Sequence, residues 1–162
     1  CELARLPASD PRRPALVARE TELLEAHRRE WTVPNVGPQA FSRGFVEDIH
    51  TSADRFLAQA RRIAATTVVR TLRLVNADRR IPELSALPLF ARIERLAFDN
   101  NTLGVRQRIV RFFGTTDLSR LRSLSLRNNR LWAEGLEELG RMPVTAQLRR
   151  LDLSGNPFAD AG

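Results

Sequence analysis

The chain has 162 residues, of which 43% are hydrophobic and 28% are charged, and its formal net charge at pH 7 is +7. This length and apolar content are enough for one domain-sized hydrophobic core. The longest apolar runs fall far short of the roughly 18 residues that a membrane-spanning helix requires, which argues against a segment that crosses a bilayer.

The first part of the chain, residues 1–40, is predicted to be a helical segment followed by a linker. Asp10 and Pro11 are typical of a helix start, and the helix is expected to end near Trp31. One face of the helix is formed by Leu16, Leu23, Leu24, His27 and Trp31. Because metal sites need several convergent donors, a lone histidine on such a face is interpreted as a packed residue. Prolines and a glycine predict turns in the linker at 32–39.

A strand and a helix are predicted next. Apolar residues at 45, 46 and 49 favour a first strand. Thr51 followed by Asp54 matches the S/T-x-x-D/E signature of a helix cap. Apolar residues at helical spacing then follow: Phe56, Leu57, Ala60, Ile63 and Ala64. Together these elements indicate a degenerate first unit that closes the N-terminal end of the core.

The second half of the chain repeats the pattern LxxLxLxxNxL. The most regular copy starts at Leu121, and the next starts at Leu148, which is 27 residues later. An earlier copy starts at Ile93, 28 residues before Leu121, and a worn copy starts at Val69, a further 24 residues back. A fixed period in this range is the sequence mark of a solenoid, whose units bury their apolar faces only against their neighbours. Residues 41–162 are therefore predicted to be an α/β solenoid of about four to five βα units, with a curved parallel sheet inside and helices outside.

Each unit is predicted to contain a short parallel strand, a turn and a helix. In the most regular copy, Leu124 and Leu126 enter the core while Ser125 faces outward, so alanine should replace Ser125 at little cost. Apolar residues behind the strand recur at spacings of about four, which predicts a helix. A side-chain amide can satisfy the backbone groups of a tight turn. Three asparagines are therefore expected to be structural: Asn101, Asn129 and Asn156.

These repeats resemble a known family. The strings LRSLSLRNNRLWAEGLEELG and LRRLDLSGNPFADAG resemble leucine-rich repeats of the ribonuclease-inhibitor-like class. The resemblance implies a leucine-rich repeat solenoid whose long units each carry a full helix. The front of the chain, CELARLPASDPRRPALVARETELLEAHRREW followed by FSRGFVEDI, is similar to the segment that joins a helical repeat-companion domain to the repeats in a group of bacterial leucine-rich proteins. This second resemblance implies that the companion domain itself precedes Cys1.

Both ends of the sequence favour a piece of a longer protein. The first residue is Cys1 rather than methionine, and the last unit ends at Gly162, where its helix should begin. A solenoid also needs terminal caps with polar outer faces, and the sequence shows none after its last unit.

The residues between the core leucines should line one face of the sheet in columns set by strand register. The columns are Thr71, Arg95, Ser123 and Arg150; Arg73, Ala97, Ser125 and Asp152; Val75, Asp99, Arg127 and Ser154; Asn76, Asn100, Asn128 and Gly155; with Arg70, Glu94, Arg122 and Arg149 at the strand entry. Arginines outnumber acids in this set, so a basic concave face could attract an acidic partner through its field. Scattered arginines that merely solvate the sheet are an equally good explanation.

A non-catalytic protein–protein interaction module or scaffold is the favoured function, with an acidic protein surface bound on the concave face. The columns contain no Phe, Tyr or Trp, whereas single-stranded nucleic-acid sites stack bases on aromatic rings. Binding of a nucleic-acid backbone through arginines alone remains the alternative. Trp132 is a candidate anchor at the rim, or it packs over the helix of its own unit. The candidate partner-binding residues are Arg70, Arg73, Arg95, Asp99, Arg122, Arg127, Arg150, Asp152 and Trp132.

Catalysis is disfavoured. Glu47, Asp48 and His50 cluster, and a carboxylate beside a histidine can serve acid–base chemistry. No nucleophile motif, glycine-rich phosphate loop or metal-ligand spacing accompanies them in the sequence. We therefore predict no catalytic residue, no metal and no cofactor.

Two features of composition bear on location and charge. Cys1 is the single cysteine and cannot form an internal disulfide, which favours a reducing, cytoplasmic location. All 26 basic residues are arginines. Codon usage that favours arginine explains this more simply than selection for bidentate contacts with anions.

Overall fold

The structure of the chain, a computed structural model, describes residues 5–42, 45–103 and 108–157. Its helices are α1 (Arg13–Trp31), α2 (Ala53–Thr66), α3 (Ile81–Ser85), α4 (Arg108–Thr115), α5 (Ala133–Gly140) and α6 (Pro143–Ala146). Its strands are β1 (Gln39–Ser42), β2 (Phe45–Ser52), β3 (Thr71–Val75), β4 (Arg95–Ala97), β5 (Ser123–Ser125) and β6 (Arg150–Asp152). A short 3₁₀ helix, Pro88–Arg92, lies between α3 and β4.

The strands of the described residues form one sheet in chain order, from β1 to β6. Strands β2 to β6 pair in parallel, and Leu72, Leu96, Leu124 and Leu151 are successive partners across the sheet. The predicted order and direction of the four repeat strands are therefore confirmed. The sheet also contains a strand that was not predicted, because β1 pairs antiparallel with β2. Only two positions separate these strands, and such a short connection suits antiparallel rather than parallel pairing.

The alternation of apolar and polar residues decides which side of each strand enters the core. Leu72 and Leu124 are fully buried, while Arg73 and Ser125 project from the opposite side. Helices cover the leucine side, as predicted. Their buried residues join the same hydrophobic cluster as the strand leucines: Phe56, Ile63, Ile109, Phe112, Phe113 and Leu139.

Phenylalanine rings link successive units inside this core. The ring centroids of Phe56 and Phe90 are 6.3 Å apart, and those of Phe90 and Phe112 are 5.2 Å apart. The ring centroids of Phe98 and Phe112 are 5.0 Å apart. All three pairs meet edge to face, which is a favoured geometry for aromatic side chains.

Helix α2 begins one residue later than its cap signature predicts. The Ser52 hydroxyl, rather than that of Thr51, accepts a hydrogen bond from the Arg55 amide at 3.4 Å. Thr51 still belongs to β2, where its side chain is buried and its hydroxyl has no hydrogen-bond partner among the described residues. The strand thus extends into the position that the motif alone assigned to the cap.

The N-terminal segment divides into an exposed helix and a buried tether. None of residues 13–27 of α1 is buried, and His27 is only half-buried. In the predicted linker, by contrast, Val33 and Val36 belong to the core. The Gln39 side chain accepts from the Val33 amide at 2.9 Å and donates to the Val33 carbonyl at 2.7 Å. The boundary predicted after residue 40 therefore falls inside β1.

The three repeat asparagines are structural, as predicted, and their hydrogen bonds form a ladder from unit to unit. Asn101 donates to the Leu74 and Phe98 carbonyls at 3.1 and 2.9 Å and accepts from the Ala77 amide. Asn129 donates to the Phe98 carbonyl at 2.7 Å, and Asn156 donates to the Leu126 carbonyl at 2.8 Å. Each amide thus satisfies the backbone of the preceding unit, where water cannot reach.

The residue before each ladder asparagine, and the residue before Ala77 at the equivalent position of the first copy, lie in the left-handed region of the backbone. The φ angles are 56° at Asn76, 57° at Asn100, 52° at Asn128 and 71° at Gly155. Asparagine and glycine tolerate this conformation better than other residues. The last outward column is therefore set by backbone conformation, and its shared residue types carry no evidence of a binding role.

The last unit is less buried than its sequence predicts. Leu151 pairs in register with the fully buried Leu124, yet 42% of its own surface is exposed. β6 is the last strand of the described residues, so no following strand covers its outer edge there. Phe158, predicted as the last apolar position of this unit, lies outside the described residues.

Candidate partner-binding face

The side of the sheet opposite the helices is named the open face here. Its first column contains Asp48, Thr71, Arg95, Ser123 and Arg150. Its second column contains His50, Arg73, Ala97, Ser125 and Asp152. Asp48 and His50 extend the predicted columns by one strand. Their alternation around the buried Ile49 is the sequence signal that places them there.

A depression of about 350 Å³ lies at the centre of the open face. Small side chains form its floor, which includes Ala97, Ser123 and Ser125. Its charged lining residues are Arg73, Arg95, Asp99, Arg150 and Asp152. The structure therefore brings five of the nine predicted site residues around one hollow, with one net positive charge.

Three arginines near the depression are engaged by the protein itself. Arg73 forms an ion pair with Asp48 at 3.1 Å, and Arg70 pairs with Glu94 at 2.9 Å. The Arg122 guanidinium donates to the backbone carbonyl of its neighbour Leu121 at 2.8 Å. Arg70 and Arg122 do not line the depression.

Arg95 and Arg150 are much less engaged. Arg95 uses its Nε to donate to the Thr71 hydroxyl at 2.7 Å, and its two terminal nitrogens have no hydrogen bond to any described residue. Arg150 is exposed, and its guanidinium makes no hydrogen bond or ion pair within the described part of the chain. Both side chains are therefore able to donate to a partner.

The acids of the open face already accept hydrogen bonds from neighbouring residues. Asp99 Oδ1 accepts from the Ser125 hydroxyl at 2.5 Å and from the Arg127 amide at 3.1 Å. This contact corrects the expectation that Ser125 faces outward without a structural partner. Hydrogen bonds from the Ser154 hydroxyl and amide, together with the charge of Arg127, lower the pKa of Asp152.

The remaining two predicted site residues lie outside the depression. Arg127 approaches Asp152 with 3.9 Å between Nε and Oδ2. Trp132 is 41% exposed and stands immediately before α5 as its N-terminal flanking residue. The structure thus places Trp132 on the loop that follows the strand, away from the lining of the depression.

A larger hollow of about 640 Å³ lies where the chain leaves β3 and β4. Its charged groups are largely paired within the protein. Arg80 donates to Asp54 at 2.6 Å and to Glu83 at 3.2 Å, which raises the pKa of Arg80. Asp78 accepts from the Thr102 amide and hydroxyl. This network closes the turns of two units, and Arg79 is the lining arginine without a hydrogen bond or ion pair to a described residue.

The cluster considered for catalysis shows no assembled acid–base pair. Asp48 is held by Arg73, and His50 is exposed on the neighbouring outward position. Among the described residues, no group of three or more histidines, cysteines or acids could hold a metal ion. None of the described helices is long and apolar enough to cross a membrane.

Comparison with known families supports the repeat assignment. Residues 120–142 match the family model described as Leucine Rich Repeat. The match covers most of the most regular predicted unit and supports a leucine-rich repeat protein, a class that in general serves as protein-interaction modules. Comparison of the chain with curated proteins and with solved structures gave no match.

Proposed function

We propose that the chain is a non-catalytic interaction module or scaffold that binds an acidic protein surface on its open face. In this proposal the open face is the concave side of a curved solenoid, and the module works in the cytoplasm. The observation that carries the proposal is the depression, where a floor of small residues lies between arginines with unused donors. The small residues of the floor allow a partner protein to approach closely, and the arginines attract and orient its acidic groups.

A protein partner accounts for this surface better than nucleic acid does. Double-stranded DNA carries one negative charge per about 1.7 Å of helix axis, so it favours surfaces with many unpaired cations. The depression has one net positive charge, and Asp99 and Asp152 would repel neighbouring phosphates. Its lining contains no aromatic ring for base stacking.

The finer family assignment is also part of the proposal. Unit lengths of 27 and 28 residues, with helices α4 and α5 behind β4 and β5, support units of the ribonuclease-inhibitor-like class. The burial of Val33 and Val36 supports the second part of this assignment, in which the front segment joins a repeat-companion domain to the sheet, as in bacterial leucine-rich proteins.

A charge-reversal experiment tests the proposed function. Arg95→Glu with Arg127→Glu should weaken capture of acidic proteins from a lysate, and the loss should shrink as salt rises, because screening weakens exposed charges. The matched control is Arg55→Glu with Arg61→Glu, which makes the same charge change at exposed positions of α2. Unchanged capture by the open-face variant, or an equal loss in the control, would contradict the proposal.

A further inference from the structure

Donors and acceptors on the open face are used to different extents. The carboxylates of Asp48 and Glu94 are paired with arginines, and Asp99 accepts two hydrogen bonds. In contrast, the Arg150 guanidinium and the Ser123 hydroxyl make no hydrogen bond to any described residue. The face therefore has a local excess of donors, which suits a ligand group that only accepts.

The residues with unused donors occupy three neighbouring positions of the first column, which are called the row here. Arg95 on β4, Ser123 on β5 and Arg150 on β6 are successive partners in the sheet register. Adjacent strands lie about 4.8 Å apart, so the Cα atoms of the two arginines are separated by roughly 10 Å with the serine between them. Two arginine side chains can reach one small group from opposite sides at this spacing. None of these three residues is acidic, and Asp48, at the far end of the same column, is paired with Arg73.

We propose that Arg95, Ser123 and Arg150 form an anchor site for a single carboxylate, supplied by an aspartate or glutamate side chain of the partner protein. This inference rests on the proposed function and specifies where recognition is centred. A carboxylate has two oxygens with about four lone-pair directions. Each guanidinium can donate two parallel N–H groups, and the serine hydroxyl adds a donor from the floor of the depression.

The surroundings select one isolated carboxylate over a chain of phosphates. The lining has one net positive charge, which a single carboxylate neutralises. Asp99 and Asp152 line the same depression, so a second anion beside them would meet like charge. A glutamate between neutral residues avoids this repulsion, whereas a nucleic-acid strand brings further phosphates with it.

Nuclear magnetic resonance with defined probes tests the anchor site. The probes are the peptide acetyl-Gly-Glu-Gly-amide, its glutamine counterpart and a six-nucleotide oligothymidylate, titrated into the full chain. The glutamate peptide should shift the Ser123 amide and the Nε–H signals of Arg95 and Arg150, whereas the glutamine peptide should not. Arg95→Gln with Arg150→Gln should weaken glutamate binding about tenfold, since charge-assisted hydrogen bonds contribute strongly to anion binding.

Matched controls separate the anchor site from a general field effect. Arg55→Gln with Arg61→Gln changes the net charge equally and should leave glutamate binding unchanged. Equal shifts from the glutamine peptide, an equal loss in the control variant, or tighter binding of the oligonucleotide would overturn the anchor site. If shifts from the glutamate peptide centre on Arg73 or Arg127, the anchor site is wrong while the proposed function stands. If no open-face signal moves and the open-face charge reversal leaves protein capture unchanged, both are wrong.

Discussion

The two ends of the sheet treat equivalent apolar residues very differently. At the β2 end, Ile49 is fully buried beneath an antiparallel strand and a segment that inserts Val36 into the core. At the β6 end, Leu151 occupies the same kind of position, yet 42% of its surface is exposed. The residue type and the register are equivalent, so the difference comes from the neighbours.

This contrast shows that a repeat motif specifies a side-chain direction but does not by itself guarantee burial. Leu124 is fully buried because β4 and β6 flank its strand on both sides. Leu151 has a described neighbour on one side only. A repeat unit therefore gains much of its stability from the unit that follows it.

The largest effect should come from comparing two leucines that are partners in register. Leu124→Ala should lower the free energy of unfolding by about 2 to 5 kcal/mol, as expected for a buried leucine. Leu151→Ala should lower it by about 1 kcal/mol or less, because much of that side chain already contacts solvent. Denaturant melts of both variants would measure this. Equal losses would mean that β6 is covered as completely as β5.

Two glycines, one near each end, sharpen the comparison. Both have positive φ, 86° at Gly37 and 71° at Gly155, so alanine should cost roughly 1 to 2 kcal/mol at each from backbone strain. An added Cβ at Gly37 would also lie 2.8 Å from the His50 carbonyl oxygen, which is held in the sheet. At Gly155 it would clash with the Asn128 side-chain amide, which can rotate away by giving up its hydrogen bond to Asn100.

Gly37→Ala should therefore lower the melting temperature more than Gly155→Ala does. Gly114→Ala is the control, since nothing lies within 4 Å of a Cβ there and alanine suits helix α4. That control should keep or raise the melting temperature in thermal scans. A larger loss at Gly155 than at Gly37 would show that the last unit is the more rigid of the two ends.

A smaller effect is expected from the two serines of β5. Ser125→Ala should cost about 1 kcal/mol, because it removes the hydrogen bond to Asp99. Ser123→Ala should leave stability unchanged, since its hydroxyl has no partner among the described residues. Chemical denaturation of both variants distinguishes them. A matching loss at Ser123 would reveal a structural role for that hydroxyl.

The smallest effect concerns the charge of Asp152 at the β6 end. Its pKa lies below the ordinary value of 3.8, chiefly because Ser154 donates to the carboxylate. The lowered pKa means that the stabilising contribution is present above pH 3.8 and is lost as the pH falls through the folded-state value. Ser154→Ala should raise the pKa towards 3.8 in a carboxyl-carbon NMR titration, and Arg127→Gln should raise it less. An unchanged pKa in Ser154→Ala would contradict this assignment.

The repeat pattern predicts the strands and the structural role of the asparagines well because the same residues recur in each unit. The alternation at Leu124 and Leu126 defines the buried side of β5, and the amide of Asn129 has few alternatives to the turn backbone. The open-face columns follow directly, since register depends on the same leucines. The hollow at Ala97 results from that register and from the small size of the residues that form its floor.

Other features depend on contacts that no local pattern contains. Strand β1 is held in place because Gln39 satisfies the Val33 backbone and Val36 joins the hydrophobic core, although the proline-rich segment before it predicts turns. The use of each arginine was also not predictable. Arg73 and Arg150 both face outward in the repeat pattern, but Arg73 is engaged because Asp48 lies on the neighbouring strand, whereas the Arg150 guanidinium has no partner among the described residues.

The phenylalanine pairs of the core have a consequence for how the stack comes apart. Units that touch only their neighbours can in principle unfold one at a time. Phe56, Phe90 and Phe112 come from three successive units, and their ring contacts tie those units to one another. No phenylalanine occurs between Phe113 and Phe158, so leucine packing, the asparagine hydrogen bonds and strand pairing join the described β5 and β6 units to that block without further phenylalanine pairs. Amide hydrogens of β6 should therefore exchange with solvent through partial opening, while those of β2 to β4 exchange together in a single cooperative event.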